Sequence, residues 1–294
     1  MADLTAIILT KNESINIVDC INSIKGLAER IVVVDSGSTD NTVELAKELG
    51  ADVYTHPFEY SAAQFNWALD NTNITTKWVL WLDADERFTP KLCEEAKIMM
   101  ERHANDDVNG FTLEAWFFFM GKCLKHGGSK KRKLMIFKNG IGRIEDRKRD
   151  AHTILSKGTS IALKEKFLHY DFKGLSDYIG KYNLYATREM QDYIAYLQGA
   201  SPDINTDRKI QKTRKMKFGL YYKMPKFIRA WMWFVYNYYF RLGFLDGKEG
   251  YIYYFLECYW YRYLVDAKIY EYEISKRVND KELLDRAFDG KAAI

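Results

Sequence analysis

The sequence predicts an α/β fold with a mostly parallel sheet flanked by helices. Three observations predict it. Short, mostly apolar runs at residues 4–9, 31–34, 51–54 and 78–82 alternate with segments of helical period. Such runs suit strands covered on both faces, and strand–helix alternation calls for right-handed crossovers between parallel neighbours. Three of the runs end in polar clusters: Thr10-Lys11-Asn12-Glu13, Asp35-Ser36-Gly37-Ser38 and Asp83-Ala84-Asp85-Glu86. Ligands of open α/β sheets bind beyond the carboxyl ends of the strands.

The elements follow in order. After the first strand, Ile15, Val18, Ile21 and Ile24 mark a helix face. After the second, Asn41 and Glu44 have capping-box spacing, Val43, Ala46 and Leu49 continue the period, and Gly50 is a stop. A helix at 62–69 precedes the strand that ends in Asp83. Residues i and i+2 of an extended chain point the same way, so Asp83 and Asp85 are expected to converge. Two carboxylates there suit Mg²⁺ or Mn²⁺. The Asp35 carboxylate can accept hydrogen bonds from a base or ribose. Gly37 and Ser38 permit close backbone approach, and the helix start favours anions.

With 294 residues, 47% hydrophobic and 29% charged, the chain can bury a substantial core. Cys20, Cys93, Cys123 and Cys258 lie far apart, which argues against a zinc site or disulfide framework. No targeting segment is visible, and the apolar run 231–240 is too short for the ~20 residues that span a bilayer. A cytoplasmic protein is expected, peripheral on the inner face of the plasma membrane.

The runs AIILTKNES, IVVVDSGSTDNT and WVLWLDADE, in that order, resemble those of family 2 glycosyltransferases of the GT-A fold. Residues 60–68 resemble a helix with a Gln-basic-Asn core, here Gln64-Phe65-Asn66, with Phe65 in the basic place. Residues 142–147, 150–153, 168–170 and 178–188 are similar to lipopolysaccharide-core and exopolysaccharide glucosyltransferases. The resemblance implies a UDP-linked hexose donor, inversion at the anomeric carbon and a divalent cation. It places Thr10, Asn12, Glu13, Asp35 and Asn66 on the nucleotide sugar. Asp83 would contact ribose or metal, and Asp85 would be the principal ligand. His152 and His169 are candidate metal or diphosphate contacts. An inverting displacement needs one base for the acceptor hydroxyl. Asp146 is favoured, then Glu145, then Asp150; against this, Glu145 and Asp146 could simply neutralise Arg143, Arg147, Lys148 and Arg149. Relatives carry Val-His-Glu where this chain has Ala151-His152-Thr153.

Basic residues crowd 121–138, either a solvated loop or one that meets the donor diphosphate or an anionic acceptor. Residues 208–229 are basic without an acid, and aromatic blocks follow at 231–240 and 251–263. The chain is therefore read as a catalytic domain, 1–200, and a basic, aromatic-rich helical appendage, 201–294. The appendage would rest on an anionic membrane surface and bring the enzyme to a glycan or lipid-linked acceptor; helix packing or a homodimer interface competes. Nothing points to nucleic acid. Rival functions are a nucleotidyltransferase, for which the phosphate loop after the first strand is missing, and a non-catalytic membrane scaffold.

Overall fold

The computed structural model describes residues 1–128, 132–145, 151–171, 173–199, 216, 218–278 and 281–289. It separates into two compact units, Met1–Phe118 with Lys130–Asp171, and Phe119–Ser129 with Phe172–Ile294. The boundary expected after residue 200 falls outside the described residues.

The strands are β1 (Ala2–Thr10), β2 (Ala28–Asp35), β3 (Asp52–Thr55), β4 (Trp78–Asp83), β5 (Glu86–Arg87), β6 (Val108–Phe119), β7 (Lys122–Leu124), β8 (Arg132–Lys138), β9 (Gly142–Ile144), β10 (Thr153–Leu155) and β11 (Thr159–His169). The helices of the first unit are α1 (Ile17–Ile24), α2 (Thr42–Glu48), α3 (Ser61–Asn71) and α4 (Pro90–Arg102). The main sheet runs β3-β2-β1-β4-β8-β6-β11-β5. Strands β3, β2, β1 and β4 are parallel; β8 runs antiparallel to β4 and β6, and β5 antiparallel to β11. The sheet is therefore mixed, with its parallel half at the amino-terminal end of the sequence.

Side-chain alternation divides the core between the two faces. Leu4, Ala6, Ile8, Leu80 and Leu82 pack with Ile17, Cys20, Ile21 and Ile24 of α1 and with Leu92, Ala96 and Met100 of α4. Ile7, Val32, Val34, Val79 and Trp81 pack on the other face with Ala62, Phe65 and Ala68 of α3. Phe65 is fully buried, its ring 5.1 Å from that of Trp81. An apolar residue at that position serves packing, and no phosphate contact comes from it. Ile15, expected on the buried face of α1, is exposed; the helix begins two residues later. Asn41 precedes α2 but makes no side-chain cap. Asp40 takes that role, accepting from the Thr42 N–H at 3.1 Å.

The second unit is mainly helical. The helix Leu175–Leu197, here α5, shares a polar interior with Tyr261–Val278. Glu189 accepts from the Tyr222 hydroxyl at 2.9 Å, from Arg262 at 3.0 Å and from the Tyr261 hydroxyl. Asp246 accepts from the backbone of Lys125 and His126, from the Tyr254 hydroxyl, and pairs with His126 Nδ1 at 2.8 Å. No helix among the described residues is long and apolar enough to cross a membrane.

Candidate functional site

Register alone sets the three polar clusters side by side. Thr10 is paired with Asp35 across β1 and β2, and Leu9 with Asp83 across β1 and β4. The carboxyl ends of three adjacent parallel strands therefore form one rim.

Within the rim, Asp35 organises its own loop. It is 2% exposed, and its carboxylate accepts from the Gly37 and Ser38 N–H groups at 2.8 Å each and from the Thr10 hydroxyl at 3.0 Å. Asn12 joins the two loops: its N–H donates to Ser38 Oγ, and its Oδ1 accepts from the Thr39 N–H, both at 2.8 Å. Glu13 donates its N–H to Thr42 Oγ1 and accepts from Asn16 Nδ2. These contacts hold the rim in a fixed shape before any ligand arrives, which lowers the ordering cost of binding.

The two aspartates of the acidic run take different partners. Strand β4 stops at Asp83 and the chain turns, so the extended-chain argument for convergence ends there. Asp83 accepts from Trp81 Nε1 at 3.2 Å and from Lys133 Nζ at 3.0 Å. Its N–H donates to Glu86 Oε2 at 2.9 Å, which closes the turn. Asp85 is delivered to the end of β11 instead, because the short β5 pairs Glu86 with His169 and Arg87 with Leu168. His169 Nε2 lies 3.6 Å from Asp85 Oδ2, and the Tyr170 N–H donates to the Asp85 carbonyl at 2.8 Å. Asp85, His169 and Asp171 each offer a ligand atom within 4.8 Å of the others. Two carboxylates and one imidazole form a donor set that fits Mn²⁺ or Mg²⁺. Asp85 and His169 have side chains only 15% and 14% exposed, so the site is partly shielded from water.

Glu86 is 1% exposed, and burial pushes its carboxyl up to about 7 against the pull of Lys133. Burial pulls Lys133 down, but Asp83 and Glu86 more than offset it and hold the ammonium above its ordinary range. Lys133 belongs to the basic tract expected to be a loop; it lies on β8 and reaches the acidic turn.

His152, a candidate metal contact, lies with Glu145. The Glu145 N–H donates to the His152 carbonyl at 2.9 Å, and Glu145 Oε2 lies 3.4 Å from His152 Nδ1. Asn66 exchanges two hydrogen bonds with the Ile144 backbone, 2.9 and 3.0 Å long, much as a neighbouring strand would. It thereby fixes β9 immediately before Glu145. Asp146 and Asp150 lie outside the described residues. Asp171 was missed in the sequence because a lone Asp after a strand carries no periodic signal. The Leu168-His169-Tyr170 run stands out in the sequence only by its resemblance.

Comparison with known proteins finds relatives for part of the chain. The sequence profile described as Glycosyl transferase family 2 matches residues 5–115. An uncharacterized glycosyltransferase of Rickettsia felis is 27% identical over 210 residues, covering 66% of this chain and 71% of that protein. The lipopolysaccharide core biosynthesis glycosyltransferase LpsC of Rhizobium meliloti is 28% identical over 191 residues, covering 63% and 69%. Among solved structures, a Mycobacterium tuberculosis glucosyl-3-phosphoglycerate synthase with Mn²⁺ and UDP aligns at 20% identity and a TM-score of 0.32, over 39% of this chain and 44% of that one. With β2, β4, all of β1 from residue 5 onward and the three loops inside the matched segment, the chain carries a glycosyl transferase family 2 domain over residues 5–115.

Proposed function

We propose that this glycosyltransferase moves a hexose, glucose or a close relative, from a UDP-sugar to a hydroxyl of a bacterial surface-glycan or lipid-linked acceptor, with inversion. The observation that carries the reading is the gathering of Asp85, His169 and Asp171 beside the nucleotide rim. The name of the LpsC relative supports a lipopolysaccharide-type acceptor.

In this reading Asp85, His169 and Asp171 hold the divalent cation, and Asp83 faces the ribose or joins them. The loops 10–13 and 35–38 shape the nucleotide-sugar pocket, and Asn66 holds β9 in place before Glu145. When bound, the cation supplies charge neutralisation for the departing diphosphate. Lys133, anchored between Asp83 and Glu86, adds a fixed positive charge to the same rim. The acceptor proton goes to a carboxylate of the set Asp146, Glu145 and Asp150, with Asp146 first. Peripheral membrane association would bring such an enzyme to a lipid-linked acceptor.

Calorimetric titration of UDP with and without Mn²⁺ tests this proposal. Binding should require the metal and be lost in Asp85→Ala. Tighter binding of ATP or CTP would favour a nucleotidyltransferase, and failure of every nucleotide to bind would leave a scaffold.

A further inference from the structure

The second unit contains a helix whose polarity is inverted. Ile228–Val235 is α-helical and Tyr236–Phe240 continues as π-helix. The inward residues are Arg229, Ala230 and Asn237, 1%, 0% and 3% exposed. The outward ones include Trp231, Met232, Tyr236, Tyr239 and Phe240, between 46% and 76% exposed. Each inward polar group is satisfied within the unit. Arg229 donates to Asp266 through Nε at 2.9 Å and to the Tyr222 carbonyl at 3.0 Å, and Asn237 donates to the Trp233 carbonyl at 2.8 Å. A helix that packs on a core and faces water shows the opposite arrangement.

The apolar exposure continues through Leu242, Phe244 and Leu245, then Tyr251 and Phe255. The half-buried Phe234 ring lies 6.4–6.5 Å from those of Tyr251, Phe255 and Tyr259, so the two helical segments share one face. Isolated exposed apolar residues are ordinary, whereas a contiguous aromatic face marks an interaction surface.

Charge selects the occupant. Residues 208–245 contain ten Lys and Arg and no Asp or Glu; of the described ones, Lys223 and Arg241 are exposed, Lys226 pairs with Glu273, and Arg229 is buried on Asp266. The next acid, Asp246, is 3% exposed and turned onto His126 and Tyr254. A self-complementary contact would set cations against cations. Anionic lipid headgroups complement them, and Trp and Tyr favour the headgroup level. The segments of 8 and 5 residues amount to ~20 Å of helix, less than the ~30 Å hydrocarbon core. We propose that this face docks in the plane of an anionic bilayer interface, with Trp231, Tyr239, Phe240 and Leu245 inserted at headgroup depth. The proposal deepens the membrane association suggested above and stands apart from the sugar chemistry.

Flotation of the full chain with phosphatidylcholine vesicles, with and without phosphatidylglycerol and in the absence of nucleotide, tests it. Binding is expected to the anionic vesicles and to weaken with salt. The variant Trp231→Ser/Phe240→Ser should lose at least roughly tenfold in vesicle affinity, with its circular dichroism unchanged. Tyr239→Ser/Leu245→Ser on the same face should behave alike and covers the case in which the first variant misfolds. Absence of wild-type binding to anionic vesicles overturns the proposal, as does wild-type affinity in both variants. Sedimentation that reveals a dimer split by these substitutions would assign the face to a second copy and overturn it equally. Because no nucleotide is present, none of these outcomes bears on UDP binding.

Discussion

Lys133 Nζ lies 2.7 Å from Glu86 Oε1. The same ammonium reaches Asp83 at 3.0 Å, so one cation on β8 ties the end of β4 to the start of β5. The turn that delivers Asp85 is thus braced from both sides: Glu86 accepts the Asp83 N–H, and Lys133 balances the Glu86 charge.

Removing that balance should be costly. Lys133→Met leaves a buried carboxylate without its partner and is expected to lower unfolding free energy by about 2–4 kcal/mol. Adding Glu86→Gln should recover part of the loss. Urea denaturation of the two variants checks both statements; equal stability of Lys133→Met and wild type would contradict them.

The cation site predicts its own dependence on metal. Chelation by EDTA should abolish UDP binding, and Mn²⁺ should restore it. His169→Ala and Asp171→Asn each remove a proposed ligand, so the loss of Mn²⁺-dependent affinity should reach or exceed the roughly 10–100-fold typical of outer-shell partners. Fluorescence or calorimetric titration of Mn²⁺ with UDP present measures it. Unchanged affinity in both variants would place the metal elsewhere.

Asp40 provides a test by pH. Burial works to raise its carboxyl, but hydrogen bonds from Thr42 and Ser14 outweigh it and bring the group from 3.8 to about 2. A depressed carboxyl contributes stability that is present above pH 3.8 and lost as pH falls through about 2. Asp40→Asn should therefore be less stable than wild type by about 1–2 kcal/mol at neutral pH, after screening. The gap should close below about pH 2. A gap that does not change between neutral and strongly acid pH would assign the loss to packing instead.

Asn66→Ala removes two hydrogen bonds from the Ile144 backbone and should cost about 1–2 kcal/mol. Its kinetic signature separates positioning from donor binding. If Asn66 positions Glu145 through β9, kcat falls while KM for the donor holds. A raised donor KM with kcat intact would return Asn66 to the nucleotide-sugar pocket.

For the base, Asp146→Asn should retain UDP affinity and lose transfer, measured by UDP release against product formation. Transfer near the wild-type rate would move the role to Glu145, whose His152 partner lies 3.4 Å away, or to Asp150.

The parallel half of the fold was legible because β1, β2 and β4 are largely buried on both faces and read as continuous apolar runs. Ile7, Ile8, Val32, Val33, Val34, Val79 and Leu80 are all fully buried, and each leads to a polar loop. The other half left a weaker trace. In β6, Phe111, Leu113, Ala115, Phe117 and Phe119 are buried while the residues between them are half-buried, an alternation masked in the sequence by the apolar Trp116 and Phe118 on the other face. Strand β5 has two residues, too few for any pattern. Its pairing with β11 depends on chain closure between distant segments. For that reason Asp85 could be singled out from sequence, whereas its companion Asp171 could not.

That closure has a consequence for how the molecule can be cut and recombined. The matched family segment ends at residue 115, yet His169 and Asp171 lie beyond it. A chimera joined at that seam would inherit one half of the proposed ion cage from each parent. Grafts that keep a parent's own β11 with its acidic turn preserve matched ligands; grafts that part them inherit a mismatched pair, however faithful the amino-terminal signature.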